Sequence, residues 1–343
     1  MTPFDLTSAL QPYADASPET WLPDVFEGHV PVMFREVIAS WLQSDSKEGA
    51  SKVYVDGTLG GGGHSFGAWQ CIQSGTQPSQ WYGIDQDATV LQNTQSKLAT
   101  LGHTQLKTCH GNFSQLPRWV QEGRIPKITG GLLLDLGVSS FQLDTPERGF
   151  SFRHEAPLDM RMNPHEGIPL HAWLMTQTEE DLKQVLWHYG EERYAGMIAR
   201  WILEDKPQTT GALARLVERA YAKRGNKRAS HHHPATRTFQ ALRIALNQEL
   251  LVLEHLLEAL PTILAPGATV VVLTFHSLED RIVKRAFKRY TTDEVSPPHD
   301  PIYRVLKPAV ATLHHRKARI AQSDELAYNP RARSAKLRAM TWL

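Results

Sequence analysis

Four consecutive glycines, from Gly60 to Gly63, follow a short β-branched run at residues 53–56 and precede a helix-like segment. Glycines let the backbone turn tightly and approach a ligand without an intervening Cβ, and the N–H groups at the start of the next helix can face that ligand. The run therefore predicts a site for a nucleotide-type cofactor. A flexible loop is the alternative, because a glycine motif alone is a weak signal.

Two residues further along the chain strengthen the cofactor interpretation. Asp85 ends the next strand-like run, 22 residues beyond Gly63, which is close to the spacing at which an acidic residue accepts hydrogen bonds from ribose hydroxyls. Phe113 follows the strand-like run at 106–110, where an aromatic ring can pack against an adenine face. The alternatives are an N-cap role for Asp85 and an ordinary core position for Phe113.

The order of the glycines differs from the dinucleotide-binding fingerprint. Residues 57–63 read G-x-x-G-G-G-G, whereas the fingerprint is G-x-G-x-x-G. A methionine-linked nucleoside has no pyrophosphate, so its glycine loop requires close approach more than anion binding. The spacing therefore favours S-adenosylmethionine. A nicotinamide oxidoreductase would share the glycines and Asp85, and it is the competing enzyme class.

Nine motifs extend this pattern over most of the chain. They are HVPVM at 29–33, DGTLGGGGHS at 56–65, LDLGVSS at 134–140, ERGFSF at 147–152, PLDMRM at 157–162, YGEER at 189–193, HPATRTFQ at 233–240, FHSLEDR at 275–281 and NPRARS at 329–334. Together they resemble the RsmH (MraW) family. The resemblance implies an S-adenosylmethionine-dependent methyltransferase that modifies the N4 amine of a decoding-centre cytidine in 16S ribosomal RNA of the small (30S) subunit.

The resemblance also implies which residues bind the cofactor. Carried over position by position, they are Gly62, Gly63, His64, Asp85, Phe113, Asp135 and Gln142. Phe141 stands where the family often has proline, so the backbone before Gln142 is less restricted. Nothing is transferred to the stretch between Thr291 and Asn329, because its family counterpart varies.

Methyl transfer to a cytosine amine requires a group that orients the nitrogen. The amine lone pair is delocalised into the ring, so an acceptor hydrogen-bonded to one amine proton would help the nitrogen become tetrahedral. Positioning that nitrogen about 3–3.5 Å from the reacting methyl would supply much of the remaining assistance. The first candidates are Asp135 and the backbone carbonyls of Leu136 and Gly137, and Asp159 is the second. Contact with the cofactor alone is the alternative role for Asp135.

Basic residues are concentrated in two parts of a chain whose net charge is only +1. Residues 276–343 hold 14 Lys and Arg against 7 Asp and Glu, and residues 215–243 hold 8 against 1. This asymmetry predicts a polyanion site. The residues expected near RNA phosphates, around a pocket for an extruded cytosine, are Arg237, Arg243, Arg281, Arg331 and Arg333. Solvated helix faces and structural salt bridges, with Glu279 and Asp280 as competing partners, are the alternatives.

Strand-like runs alternate with helical patterns, which is typical of a parallel sheet covered by helices. The runs are residues 53–56, 81–85, 106–110, 132–136 and 269–275. More than 130 residues separate the last two runs, a gap too long for one crossover. The predicted fold class is therefore α/β, a Rossmann-like (class I) methyltransferase sheet with an inserted small all-helical domain.

The predicted domain organisation follows from that gap. An N-terminal extension covers residues 1–25, and a discontinuous methyltransferase domain covers 26–141 and 235–343. A helical insertion for substrate recognition covers 142–234, with helices predicted at residues 179–189, 191–204 and 212–222. One long helix at 235–260 is expected to return the chain to the sheet.

Composition limits the remaining possibilities. The chain has only two cysteines, Cys71 and Cys109, so neither a disulfide framework nor a cysteine zinc site is indicated. Three adjacent histidines at 231–233 cannot easily face one ion, and no metal is expected. Without a signal sequence or a long apolar run, we expect a cytoplasmic protein with no membrane partner. Open alternatives are a homodimer and a non-catalytic ribosome-assembly factor.

Overall fold

The computed structural model describes residues 30–43, 51–73, 79–223, 233–296 and 304–343. The chain divides into two compact units, Met1–Gly137 with Val252–Leu343, and Val138–Leu251. The predicted extension at residues 1–25, the first motif residue His29, and two of the three adjacent histidines lie outside the described residues. No helix in the described ranges is long and apolar enough to cross a membrane.

The strands all belong to the first unit. In chain order they are β1 (Lys52–Asp56), β2 (Ser79–Asp85), β3 (Leu106–His110), β4 (Gly131–Asp135), β5 (Thr269–Thr274), β6 (Glu294–Val295), β7 (Val305–Lys307), β8 (Ala311–Leu313), β9 (Arg319–Ile320) and β10 (Lys336–Trp342). One sheet has the order β3-β2-β1-β4-β5-β10-β8, with β9 also pairing with β10, and β6 pairs with β7 separately. Neighbours among β1–β5 are parallel, and β10 is antiparallel to β5. This mostly parallel sheet confirms the predicted α/β, Rossmann-like fold class.

Helices occur in both units. In chain order they are α1 (Phe34–Trp41), α2 (Gly63–Gln73), α3 (Ala88–Thr100), α4 (Leu116–Gln121), α5 (Ser140–Asp144), α6 (Leu170–Leu174), α7 (Glu179–Gly190), α8 (Ala195–Asp205), α9 (Thr210–Lys223), α10 (Ala235–Leu246), α11 (Glu249–Ile263), α12 (Ser277–Thr291) and α13 (Ser323–Tyr328). Short 3₁₀ turns occupy Phe113–Gln115, Pro146–Arg148 and Pro330–Ser334.

The sheet is covered on both faces because alternate residues of a strand point to opposite sides. One face packs against α11 and α12 through a core that includes Leu134, Val272, Leu256 and Phe287. The opposite face packs against α1 and α2 through a core that includes Tyr54, Leu273, Trp41 and Trp69. The strands are therefore held rigidly, and their carboxyl ends present side chains at fixed positions.

The direction of the chain reverses beside β1. From β1 the chain proceeds outward through β2 to β3, and it then returns to β4 on the other side of β1. Such a switch point opens a crevice at the carboxyl ends of the two central strands, which is where open α/β sheets bind ligands. The loop after β1 contains the four glycines, so the glycine run lies at this crevice.

The second unit is helical, and its limits differ from those expected from the sequence. Residues 235–251 were expected to belong to the sheet domain, but they cluster with the helical unit. Phe239 and Leu242 of α10 join a core with Leu182 and Leu186 of α7. The apolar face of α10 is thus buried by helices, and this contact moves the boundary.

Two helix predictions also require correction. The helix predicted at 235–260 is two helices, because Gln248 adopts a left-handed φ of 52° between α10 and α11. The preceding Asn247 stabilises the break, since its side chain accepts from the N–H of Met162 at 2.8 Å and donates to the carbonyl of Met160 at 2.9 Å. The helix predicted from residue 191 starts at Ala195, because Glu191 has φ 49° and ends α7.

Candidate active site

Three aspartates end three neighbouring strands of the sheet. Asp85 ends β2, Asp56 ends β1 and Asp135 ends β4. Asp56 is buried, accepts a hydrogen bond from the Ser65 hydroxyl at 2.7 Å and accepts another from the N–H of Thr58 at 3.1 Å. Burial is the main cause that raises the pKa of Asp56 to about 6; the nearby charge of Asp85 acts in the same direction, and these hydrogen bonds oppose it. This edge of the sheet, which we call the acidic edge, therefore brings the carboxyl groups of Asp56, Asp85 and Asp135 close together.

Asp85 fixes the glycine loop by its carboxylate. One oxygen accepts from the N–H of Gly60 at 2.8 Å, and the other accepts from the N–H of Asp87 at 2.9 Å. Burial raises the pKa of Asp85 to about 6, although both hydrogen bonds favour the ionised form. The N-cap alternative for Asp85 is wrong, because Asp87 caps α3 by accepting from the N–H groups of Thr89 and Val90.

Two positions of the glycine loop, Gly62 and Gly63, have no room for a Cβ. Gly60 and Gly62 have φ values of 48° and 78°, in the left-handed region. A Cβ on Gly62 would lie 2.7 Å from Thr94 Cγ2, and one on Gly63 would lie 2.4 Å from Pro31 Cγ. The requirement for glycine is therefore conformational at Gly60, steric at Gly63, and both at Gly62.

Gly62→Ala is expected to lower the free energy of unfolding by about 2–4 kcal/mol, since it adds backbone strain and a steric clash. Gly123→Ala is the matched control, because Gly123 has a similar φ of 74° but no atom within 4 Å of its added Cβ. Strain alone should cost this control about 1–2 kcal/mol. Urea titration of both variants measures the difference, and equal losses would show that the contacts of Gly62 do not matter.

Asp135 is the most perturbed of the three aspartates. Burial, with smaller contributions from the carboxylates of Asp56 and Glu279, raises its pKa to about 8. Its backbone N–H donates to Thr58 Oγ1 at 2.6 Å, and 28% of its side chain is exposed. At neutral pH the unliganded protein therefore holds a proton on this carboxyl group much of the time.

His64 lies beside Asp135 and is buried. Its Nδ1 is 3.5 Å from Asp135 Oδ2, and its Nε2 is 3.0 Å from the carbonyl oxygen of Val32. Because a carbonyl only accepts, Nε2 carries a hydrogen, which leaves Nδ1 of a neutral ring facing the carboxyl group. A protonated Asp135 can donate to this nitrogen, whereas the ionised carboxylate cannot.

Phe113 and Gln142 have structural contacts of their own. Phe113 is 8% exposed and lies in the core of the first unit, as the core alternative for this residue expects. Gln142 is buried in the second unit, where its side-chain oxygen accepts from the N–H of Ser139 at 3.0 Å in a capping box at the start of α5. A cofactor role for either residue stays a prediction.

Asp159, the second candidate for orienting the amine, is already paired. Both of its oxygens accept from the guanidinium of Arg161, at 2.8 and 2.7 Å. Burial raises the pKa of Asp159, but the hydrogen bonds from Arg161 outweigh burial and hold the pKa below its usual range. A carboxylate held in this way is a weaker candidate for accepting an amine proton than Asp135.

The five candidate RNA-binding arginines differ in what they contact. Arg243 forms a bidentate ion pair with Glu249. Both N···O distances are 2.8 Å, and both side chains are largely buried. Arg237 is exposed and donates to the carbonyl of Glu191 at 3.2 Å. The other three are exposed, on α12 and on the turn after α13: Arg281, Arg331 and Arg333. The salt-bridge alternative therefore applies to Arg243.

The expected competing acids are occupied elsewhere. Asp280 pairs with Arg338 at 2.8 Å and with Lys336 at 3.4 Å. Glu279 is buried at the start of α12, where it accepts from the N–H of Phe275 at 2.8 Å. Among the adjacent histidines, His233 accepts from the N–H of Ala235 at 3.2 Å and so shapes the start of α10.

Sequence reasoning missed several residues of the acidic edge. Asp56, Thr58 and Ser65 were not singled out, and Glu279 was named only as a competing salt-bridge partner, although each supports or perturbs one of the three aspartates. The signal for Asp56 is available in the sequence, since it ends a strand directly before the glycine loop. Glu279 has no such local signal, because its proximity to Asp135 depends on the pairing of β4 with β5.

Together these groups form a site suited to a cation beside a nucleoside. Three aspartates with raised pKa values end adjacent strands, and a loop without side chains lies next to them. A bound positive charge would relieve the repulsion between the carboxylates, whereas a pyrophosphate would increase it. The geometry therefore favours a cationic ligand.

Comparison with known proteins extends over most of the chain. Residues 27–342 match the model of the MraW methylase family. A protein of Syntrophotalea carbinolica named ribosomal RNA small subunit methyltransferase H is 45% identical over 295 residues, covering 84% of this chain and 91% of that protein. Proteins of the same name from Clostridioides difficile and Heliobacterium modesticaldum are 38% and 39% identical over 315 residues, covering 90% and 91% of this chain and 97% of each relative.

Proposed function

Because the chain belongs to the MraW methylase family, we propose that it is an S-adenosylmethionine-dependent methyltransferase of 16S ribosomal RNA in the small (30S) subunit. Its target in this proposal is the N4 amine of a decoding-centre cytidine. The names of the relatives support a small-subunit RNA substrate, and the resemblance of the nine motifs supports the choice of nucleotide. The enzyme would act in the cytoplasm, and a homodimer stays a prediction.

The acidic edge is the observation that carries the proposal. S-adenosylmethionine has a sulfonium and an ammonium group, and both are positively charged. Asp56, Asp85 and Asp135 repel one another and have raised pKa values, so this ligand would stabilise their ionised forms. A nicotinamide dinucleotide brings a negatively charged pyrophosphate to the same loop, and the carboxylates disfavour it.

The residues of the first unit fit the parts of this cofactor. Asp85 is held by two backbone N–H groups, which leaves lone pairs on its oxygens for the ribose hydroxyls. Gly62 and Gly63 give close approach to the loop, and His64 lies beside Asp135. Phe113 and Gln142 complete the proposed set.

The chemistry that the bound cofactor supplies is an electrophilic methyl group. In our proposal Asp135 accepts a hydrogen bond from one proton of the cytosine amine, which directs the nitrogen lone pair toward that methyl. Occupancy of the site by a cation lowers the pKa of Asp135, so the carboxylate is ionised when the amine arrives. The carbonyls of Leu136 and Gly137 are the alternative acceptors, and the ion pair with Arg161 makes Asp159 the weaker candidate.

Cofactor binding at pH 7 is therefore expected to release protons. The pKa of Asp135 is about 8 without ligand, so at pH 7 the group is mostly protonated and must ionise to meet a cation. Affinity should rise as the pH rises toward 8 and then level off. Isothermal titration in buffers of different ionisation enthalpy measures the released protons.

Two comparisons make this titration specific. S-adenosylhomocysteine, which lacks the sulfonium charge, should release fewer protons, and the Asp135→Asn protein should release fewer with either ligand. Release that is unchanged in Asp135→Asn would remove this carboxyl group from the cation site. Tighter binding of NAD than of S-adenosylmethionine would favour the oxidoreductase instead.

A further inference from the structure

The edge of the main sheet that is formed by β8 and β9 carries basic residues and no acidic ones. Strands β8 and β9 both pair with β10, on the side away from β5, and residues 314–318 connect them. His314 fastens this connection, since its N–H donates to the carbonyl of Ala339 at 3.0 Å and its Nε2 lies 2.8 Å from Thr341 Oγ1. The edge is thus an ordered part of the fold.

Every charged residue of this segment is basic. From Arg304 to Ser323 the sequence contains no Asp or Glu. Its five cations are Arg304, Lys307, Arg316, Lys317 and Arg319, which we call the basic edge. The first two belong to the separate β6–β7 pair, where Glu294 lies opposite Lys307. Four of the five cations are exposed. The fifth, Arg319, pairs with Glu36, with 3.6 Å between Nη2 and Oε1.

Two of the sequence-predicted arginines lie close to this surface. Arg331 and Arg333 occupy the turn Pro330–Ser334, which packs against β9. Both are exposed. The basic edge therefore continues into a motif that the resemblance includes, and it enlarges the predicted polyanion site beyond those two residues.

The same segment exposes aliphatic side chains. Val305, Leu306, Leu313 and Ile320 are 47%, 59%, 39% and 61% exposed. Aliphatic groups do not offer the flat faces on which unpaired bases stack. The charges, and not stacking, would therefore determine affinity for nucleic acid, and such binding would be to the backbone and independent of sequence.

Protection of an exposed sheet edge is the competing explanation. Lys and other charges on an edge strand discourage pairing with a second molecule. That purpose is served by charges of either sign, yet acids are absent over this whole segment. Charges that are all basic from Arg304 to Ser323, with Arg331 and Arg333 following beyond Asp324 and Glu325, match a polyanion better than they match edge protection.

We propose that the basic edge binds the phosphate backbone of the substrate RNA, outside the acidic site where the methyl group is transferred. The inference rests on the proposed function, because that function supplies the RNA. None of the basic-edge residues lies in the nine motifs. In this proposal they position the RNA and take no part in the methyl transfer.

The test uses the full-length double variant Arg316→Gln/Lys317→Gln, which removes two exposed charges. The matched control is Lys107→Gln/Lys127→Gln, which removes two exposed charges elsewhere, one of them on β3 at the opposite edge of the sheet. Binding of a short labelled single-stranded RNA of mixed sequence is measured between about 50 and 200 mM KCl, where affinity reports released counterions. Methylation of isolated small subunits and affinity for S-adenosylmethionine are measured on the same proteins.

The double variant should reduce the slope of log affinity against log salt by about 1.5, since each lost phosphate contact contributes about 0.7 for single strands and 0.9 for duplexes. KM for the subunits should rise while kcat and cofactor affinity stay unchanged, and the control should behave as the wild type. An unchanged salt slope in a protein that still methylates RNA would overturn the inference and leave the proposed function standing. Self-association of the variant, without a change in the salt slope, would overturn the inference in favour of edge protection. A wild-type protein that methylates no RNA would contradict the proposed function itself.

Discussion

Asp135→Asn is expected to lower kcat for methyl transfer by about 10²- to 10⁴-fold, the range typical of a lost proton-accepting group. Asparagine keeps the size of the side chain but never becomes an anion, so it cannot hold the amine proton as the carboxylate does. Single-turnover kinetics with saturating S-adenosylmethionine separates this loss from weaker cofactor binding. Full turnover with normal affinity would assign Asp135 to cofactor contact alone.

The same substitution should stabilise the unliganded protein. The folded-state pKa of about 8 lies above the ordinary aspartate value of 3.8, so the folded protein keeps a proton that the unfolded chain has lost. Between these values the contribution of Asp135 to stability falls as the pH rises. The gain in Tm from Asp135→Asn should therefore be larger at pH 8 than at pH 5.

A surface carboxylate provides the control for that measurement. Glu204→Gln removes the same charge from an exposed position on α8, and its Tm should be close to that of the wild type at both pH values. An equal gain in both variants would mean that net charge, and not the crowding of carboxylates at the acidic edge, determines the effect.

Asp85→Asn is expected to weaken S-adenosylmethionine binding by about 10- to 100-fold, since hydrogen bonds to a charged group contribute about 1.5–3 kcal/mol. The amide also directs an N–H₂ group at one of the two backbone donors, Gly60 or Asp87, which both require an acceptor. Asp87→Asn is the matched control, because asparagine caps a helix as well as aspartate does.

A cofactor analogue without the 2′-hydroxyl tests whether Asp85 contacts the ribose. A 2′-deoxy form of S-adenosylmethionine should bind the wild type more weakly than the natural cofactor does, and Asp85→Asn should bind both forms almost equally. Isothermal titration of the four combinations gives the coupling between the carboxylate and the ribose hydroxyl. Additive losses would show that Asp85 supports the glycine loop without touching the ribose.

Local patterns in the sequence were sufficient to predict the parallel half of the sheet. The strand-like runs at 53–56, 81–85, 106–110, 132–136 and 269–275 identify β1 to β5, and the end of β2 identifies Asp85. Strand β10 was missed, because Lys336 and Arg338 interrupt its apolar residues. These two cations are stabilised by Asp280, which is distant in sequence, and no local pattern encodes that partner.

The electrostatics of the site could not be predicted in the same way. The sequence singled out Asp135 by resemblance, but its raised pKa depends on burial and on Asp56 and Glu279, which other strands and helices bring close. Likewise, the pairing of Arg243 with Glu249 requires the break at Gln248, a left-handed residue that helical periodicity does not reveal. Tertiary contacts decide such features.

Nucleoside mass spectrometry tests the central claim most directly. The protein is incubated with methyl-labelled S-adenosylmethionine and isolated small ribosomal subunits, and the digested 16S RNA is analysed for labelled nucleosides. We predict labelled N4-methylcytidine at one position with the wild type and a strongly reduced amount with Asp135→Asn. The absence of N4-methylcytidine with the wild type, on both assembled subunits and free RNA, would contradict the proposal and favour a non-catalytic assembly factor.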